Sequence, residues 1–272
     1  MKTIVVATDF SKGSVHAISY AVELSNVIKA NILLVWVNKK NFDSEFPFEV
    51  RSMAEEAHDK LKKLIVRFQP KMKFGKMEYK IREGKVYQEI INQAKYIDAN
   101  LIVAGTHGVS GFEEFWIGSN AAKIVTHSEC PVITVRYGQC IHKIEKIVMP
   151  LDIDNETVKK VPFVADFAKL FDAEVHIVAC NTTGLEDMKN QTEDFSTKAV
   201  NYFKQNKIKY KRAAIQNINI SDSIIQYAKD VNADLISIKS SFNSNTFSFI
   251  LGSTAEEIVN HSNIPVLTIS VK

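Results

Sequence analysis

Apolar residues recur along this chain at two alternating periods. Short unbroken runs are of strand length and read as strands buried on both faces. Examples are Ile4-Val5-Val6-Ala7, Ile32-Leu33-Leu34-Val35-Trp36-Val37 and Leu101-Ile102-Val103-Ala104. Between the runs, apolar positions fall three and four apart. Val15, Ile18, Val22 and Ser25 share one helical face. Met53, Ala57, Leu61, Leu64 and Phe68 share a second, and Ile90, Ala94 and Ile97 a third. Ser11 and Ser14 stand where the first helix needs a cap. The pattern predicts strands over about 2–8, 31–37, 77–82, 100–105 and 131–136, with helices between them. Strands that alternate with helices imply an α/β fold, a mostly parallel sheet covered on both faces.

The pattern then repeats. Residues 3–37 align with 146–180 without a gap, so that Asp9 corresponds to Asp152. From about Ile90 to Val135 a second alignment pairs Gly118-Ser119 with Gly252-Ser253 and His127-Ser128 with His261-Ser262. A repeat of this length is a duplicated domain and not a solenoid unit. The expected domains are 1–140 and 141–272. The connector, Gly138 to Lys143, is short, so the copies are expected to pack together.

Composition narrows the function classes. A chain of 272 residues with 46% hydrophobic and 24% charged residues suits two soluble domains with full cores. A net charge of +3 makes no strong electrostatic case for nucleic acid or membrane. The apolar runs are too short to span a bilayer. The amino-terminal run breaks at Asp9, too early for a signal segment. Cys130, Cys140 and Cys180 show no C-x-x-C pair, which suits reduced thiols in a cytoplasmic protein.

The candidate chemistry lies after the fourth strand. Gly105-Thr106-His107-Gly108 ends that strand, nine residues follow, and Gly118-Ser119 opens a helix. A strand's carboxyl end and a helix's amino end both let backbone N–H groups approach an anion, and the helix adds its dipole. Gly105 and Gly108 offer backbone without Cβ, free to take positive φ. Gly118, Ser119 and Asn120 offer N–H groups and a hydroxyl to phosphates. Asp9 ends the first strand, so Thr8, Asp9 and the glycines face one crevice if strands one and four are neighbours.

These residues resemble the universal stress protein family in its tandem-domain form, over nearly the whole chain, twice. The spacing Gly105-x-x-Gly108-x(9)-Gly118-Ser119 is similar to the signature of the family's ATP-binding branch. The resemblance implies two Rossmann-like (adenine nucleotide alpha hydrolase-like) domains, each a five-stranded parallel sheet of order 3-2-1-4-5. It implies that Asp9 and Val37 contact the nucleoside, with Asp9 able to meet ribose hydroxyls or a magnesium ion. It also implies pairing of the final strands, Val132–Arg136 with Val266–Ile269, in an internal pseudo-dimer, and extends to a homodimer. ATP and Mg2+ are the expected cofactors, bound by Thr8, Asp9, Val37, Gly105, His107, Gly108, Gly118, Ser119 and Asn120.

The second copy departs from this pattern. Lys239 and Phe242 replace Gly105 and Phe242's counterpart Gly108, and Cys180 replaces Val37, so the second site is expected to be closed or weak. There is no G-x-x-x-x-G-K-[ST] and no set of zinc-ligand spacing. The basic segment from Lys60 to Lys85 reads as a solvated face, with Phe68 and Phe74 in the core, so nucleic acid is not expected. Two functions remain. One is an ATP-binding stress-response protein, at most a slow ATPase, since no general base is evident. The other is a partner-binding scaffold that needs no nucleotide.

Overall fold

The computed structural model describes residues 2–39, 47–106, 117–139, 143–152, 154–181, 185–243, 248–250 and 252–271. His107 and Gly108 lie outside them. The chain divides into two units, Met1–Ile141 and His142–Lys272.

The first unit contains strands β1 (Thr3–Ala7), β2 (Asn31–Asn38), β3 (Met77–Glu83), β4 (Leu101–Gly105) and β5 (Val132–Val135). Its helices are α1 (Lys12–Ile28), α2 (Pro47–Phe68), α3 (Val86–Tyr96) and α4 (Ser119–His127). The sheet runs β3-β2-β1-β4-β5, with every neighbouring pair parallel. Ile4, Val5, Val6, Ile102 and Val103 are wholly buried, as expected of central strands covered on both faces. Ser11 caps α1 by accepting from the Ser14 amide at 3.1 Å. Ser14 itself is a buried residue of the first turn and not a cap.

The helical faces pack largely as the spacing predicts. Ile18, Val22, Ala57, Leu61, Phe68, Ile90 and Ala94 are buried. Met53 and Phe74 are not: they are 52% and 43% exposed. Met53 lies about four turns before Phe68 and lines the opening at the carboxyl ends of the strands. Phe74 sits in the turn leading into β3 and lies on no helical face at all.

The second unit repeats the order. Its strands β6 (Lys146–Leu151), β7 (Glu174–Asn181), β8 (Tyr210–Gln216), β9 (Leu235–Asn243) and β11 (Val266–Val271) run β8-β7-β6-β9-β11. An added strand β10 (Ser248–Ile250) pairs antiparallel with β9. The helices are α5 (Val161–Phe171), α6 (Glu186–Gln205), α7 (Ile220–Asp230) and α8 (Ser253–His261). One local difference matters. The α1 equivalent opens with a six-residue 3-10 segment, Asn155–Lys160, before α5 begins.

Both units thus carry a sheet whose chain order reverses between the first and fourth strands. In such sheets ligands bind at the carboxyl ends of those two strands.

Candidate functional site

In the first unit the carboxyl ends of β1 and β4 lie side by side, with Val6 paired to Val103. They open a crevice of about 710 Å3, within the ordinary size range of small-ligand sites. Thr8, Asp9, Val37, Gly105, Gly118, Ser119 and Asn120 all line it. Its apolar wall comes from Val35, Val37, Val86, Ile90 and Ile124. Val86 and Ile90 escape a reading of the sequence, because their four-residue spacing looks like ordinary helix core. Ile90 is 1% exposed, so it serves both core and wall.

The β1–α1 turn is fixed by its own side chains. The Asp9 carboxylate accepts from the Ser11 amide at 3.0 Å. The Ser14 hydroxyl accepts from the Asp9 amide at 3.3 Å and donates to the Ser11 carbonyl at 3.1 Å. The Thr8 hydroxyl lies 3.2 Å from it and accepts from the Phe10 amide at 3.3 Å. Phe10 adopts φ 65°, a left-handed conformation that costs a non-glycine residue about 1–2 kcal/mol. Its ring stacks on Trp36 at 6.1 Å, with the Lys60 ammonium 5.4 Å from the ring centroid, which offsets that cost.

Gly105 does not take the positive φ expected of it; the positive-φ glycines among the described residues are Gly75, Gly84 and Gly138. Its lack of a side chain has another cause. A Cβ there would fall 2.8 Å from the backbone of Gly13, so bare backbone at Gly105 lets the first turn of α1 close on the end of β4. Gly118 donates to the Thr106 carbonyl at 2.6 Å, and a Cβ would lie 3.2 Å from that oxygen. It sits at the N-cap of α4 and makes no side-chain cap. No acidic residue stands in the first turn of α4, so its N–H groups and dipole face the crevice uncompensated by carboxylate.

The second unit keeps the turn and rebuilds the rest. Asp152 accepts from the Asp154 amide at 3.1 Å, the same turn that Asp9 makes. Lys239 occupies the Gly105 position and Glu156 that of Gly13. The first turn here is wound as 3-10. The Lys239 ammonium pairs with the Asp154 carboxylate, and its side chain is only 11% exposed. Burial pushes the Asp154 carboxyl up, but the hydrogen bond and charge of Lys239 outweigh this and hold it below its usual range. Lys160 is 2% exposed and donates to the Pro150 carbonyl at 2.5 Å. Burial pushes its ammonium down to about 8, partly opposed by Asp152. Cys180, in place of Val37, is buried, and burial pushes its thiol up to about 12. Finally, α8 carries Glu256 in its first turn, and the Ser221 hydroxyl donates to Glu257. The helix that would face phosphates has carboxylates where α4 has Ala122 and Lys123. The side chain of Phe242 lies outside the described residues.

Comparison with known proteins places this geometry. The model of the universal stress protein family matches residues 1–136 and again 143–270. Universal stress protein MJ0531 of Methanocaldococcus jannaschii is 30% identical over 142 residues, covering 50% of this chain and 82% of its own length. Universal stress protein YxiE of Bacillus subtilis is 27% identical over 144 residues, covering 49% of this chain and 97% of its own. Among solved structures, a universal stress protein from Archaeoglobus fulgidus matches the fold with a TM-score of 0.82 at 18% identity, over 98% of both chains. Two matches of one family model, which together span nearly all 272 residues, leave one reading: the chain belongs to the universal stress protein family and carries its domain twice.

Proposed function

We propose that this protein is an ATP-binding stress-response protein that holds one nucleotide, in its first unit. The observation that carries the reading is the shared crevice: Thr8, Asp9, Val37, Gly105, Gly118, Ser119 and Asn120, drawn from four separate segments, all line it. The residues fit the group. The apolar wall suits an adenine ring beside the Val37 backbone. The open amino end of α4 suits phosphates, each charge-assisted N–H contact contributing roughly 1.5–3 kcal/mol. Asp9 has one oxygen engaged by Ser11 and a second available to a ribose hydroxyl or a magnesium ion. Magnesium would neutralise phosphate charge there.

The second unit supports a stoichiometry of one. Its cation is already paired with Asp154, and its α8 terminus carries carboxylates. We place the protein in the cytoplasm, a reading supported by its thiol usage. Among the described residues, no helix is long and apolar enough to cross a membrane. The test is mass spectrometry of the denatured purified protein, followed by calorimetry with magnesium and ATP. Adenine nucleotide should be released, and titration of the stripped protein should give a ratio near one. A protein that neither carries nor takes up nucleotide would instead be a partner-binding scaffold.

A further inference from the structure

A cationic face lies at the other end of the first unit from the crevice. It forms where the carboxyl ends of α1 and α2 meet the amino end of β3. Lys29, Lys63, Arg67, Lys71, Lys73 and Lys76 are all exposed there. Among the described residues, none of the six is paired with a carboxylate. Residues 60–85 hold ten Lys and Arg against Glu78 and Glu83, while the whole chain carries only +3. The remainder of the chain is therefore net negative, and five of those ten, Lys63, Arg67, Lys71, Lys73 and Lys76, belong to this face.

This face is preorganised. The Asn26 amide donates to the Lys71 carbonyl at 3.1 Å and accepts from the Lys73 amide at 2.6 Å. Asn31 accepts from the Lys76 amide at 2.9 Å, and Gln69 from the Met77 amide at 2.6 Å. Gly75, at φ 73°, packs so closely that a Cβ would fall 2.4 Å from the Ala30 carbonyl. Two apolar side chains stand among the cations: Val66 is 75% exposed and Phe74 43%.

We propose that this face docks the first unit onto an anionic lipid bilayer. The cations would meet headgroup phosphates, and Val66 and Phe74 would enter the boundary between headgroups and acyl chains. Five of the six cations are Lys, point charges without the planar fork that favours bidentate recognition of nucleic-acid phosphates. The Lys29 ammonium lies 5.3 Å from the Phe74 centroid and covers one ring face, which leaves a poor platform for base stacking. A nucleic acid would also leave Val66 in water, whereas a bilayer removes both apolar groups from it. The dipole of α2 accounts for Arg67 and Lys71 near its carboxyl end, but not for Lys63, Lys73 or Lys76. Docking by this face leaves the crevice, at the opposite ends of the strands, open to solvent.

The inference is independent of the nucleotide reading, and its test uses the full chain without nucleotide. Co-sedimentation is measured with vesicles of phosphatidylglycerol and phosphatidylcholine, and with phosphatidylcholine alone, at 0.1 M salt. Binding is expected to the anionic vesicles only and should disappear at 1 M salt. Neutralising three cations (K63Q/R67Q/K71Q) should lower the partition constant about 100-fold. V66S/F74S, which keeps every cation, should lower it about 10-fold. These side chains are exposed, and V66S alone gives a second measure should F74S disturb the turn. Absence of binding to anionic vesicles overturns the proposal. So does V66S/F74S binding as tightly as the parent, or retention of a single-stranded 20-nucleotide RNA without any vesicle binding.

Discussion

Asp9 does two jobs that a substitution can separate. Its carboxylate holds the β1–α1 turn through Ser11, and in the proposed function it also meets ribose or magnesium. Asp9→Asn keeps an acceptor for the Ser11 amide and loses the charge. That variant should melt like the parent but bind magnesium–ATP more weakly. Asp9→Ala should also lose about 1 kcal/mol of stability, which thermal melting will register as a drop of a few degrees. Equal melting of the two variants would show that the turn does not depend on this oxygen. Gly118→Val is expected to weaken binding more than either, at least 10-fold by calorimetry. Its Cβ would press on the Thr106 carbonyl, and its branches would crowd the amino end of α4. Undiminished affinity would remove Gly118 from the cradle.

Not all of this was legible in the sequence. The spacing of Gly105, Gly118 and Ser119 marked the crevice, because a phosphate cradle constrains residues close together in the chain. The packing reason for Gly105 is not visible there, since its partner Gly13 lies far away in sequence and only the fold brings the Gly13 backbone to where a Gly105 Cβ would stand. Phe74 reads as core from the sequence for a similar reason, yet it is 43% exposed. Hydrophobicity alone does not say whether a turn faces inward.

The strands of the first unit are legible to within one residue at each end, the charged edge strand β3 as well as the buried β1 and β4, because a run of β-forming residues between turn signals leaves little room to shift. Nothing in the sequence around 155–160 signals a 3-10 segment. It coincides with Lys239 at the Gly105 position and Glu156 where Gly13 would stand. Lys160, at the end of that segment, sets a pH dependence for the second unit. Its folded value of about 8 lies below the ordinary 10.5. Below pH 8 the amine is charged in both states, and its burial carries the full penalty. Between pH 8 and 10.5 the folded state releases its proton first, so the penalty is progressively relieved. The stability gap between the parent and Lys160→Met should therefore shift in favour of the parent across this window, by roughly 3 kcal/mol at most. Chemical denaturation at pH 7, 9 and 10.5 checks it. A gap that does not move would mean that Lys160 is hydrated in the folded protein.

For the whole molecule, the two units should answer ATP unequally. A ligand that binds one folded unit stabilises that unit by mass action, and at 100 times its dissociation constant the gain is about 2.7 kcal/mol. Calorimetric melting with saturating magnesium–ATP should raise the part of the transition that belongs to the first unit. A tryptophan signal will follow it, because Trp36 and Trp116 both belong to that unit. A shift of equal size throughout would argue for two sites, or for units that melt as one.

The Lys239–Asp154 pair gives this asymmetry a meaning beyond a lost site. A counter-ion that is part of the chain cannot be diluted, exported or consumed. The second unit is thus always in its charged-and-matched state, whatever the supply of nucleotide. The first unit, on the proposed reading, varies with that supply. A chain built this way carries its own fixed reference beside its variable half.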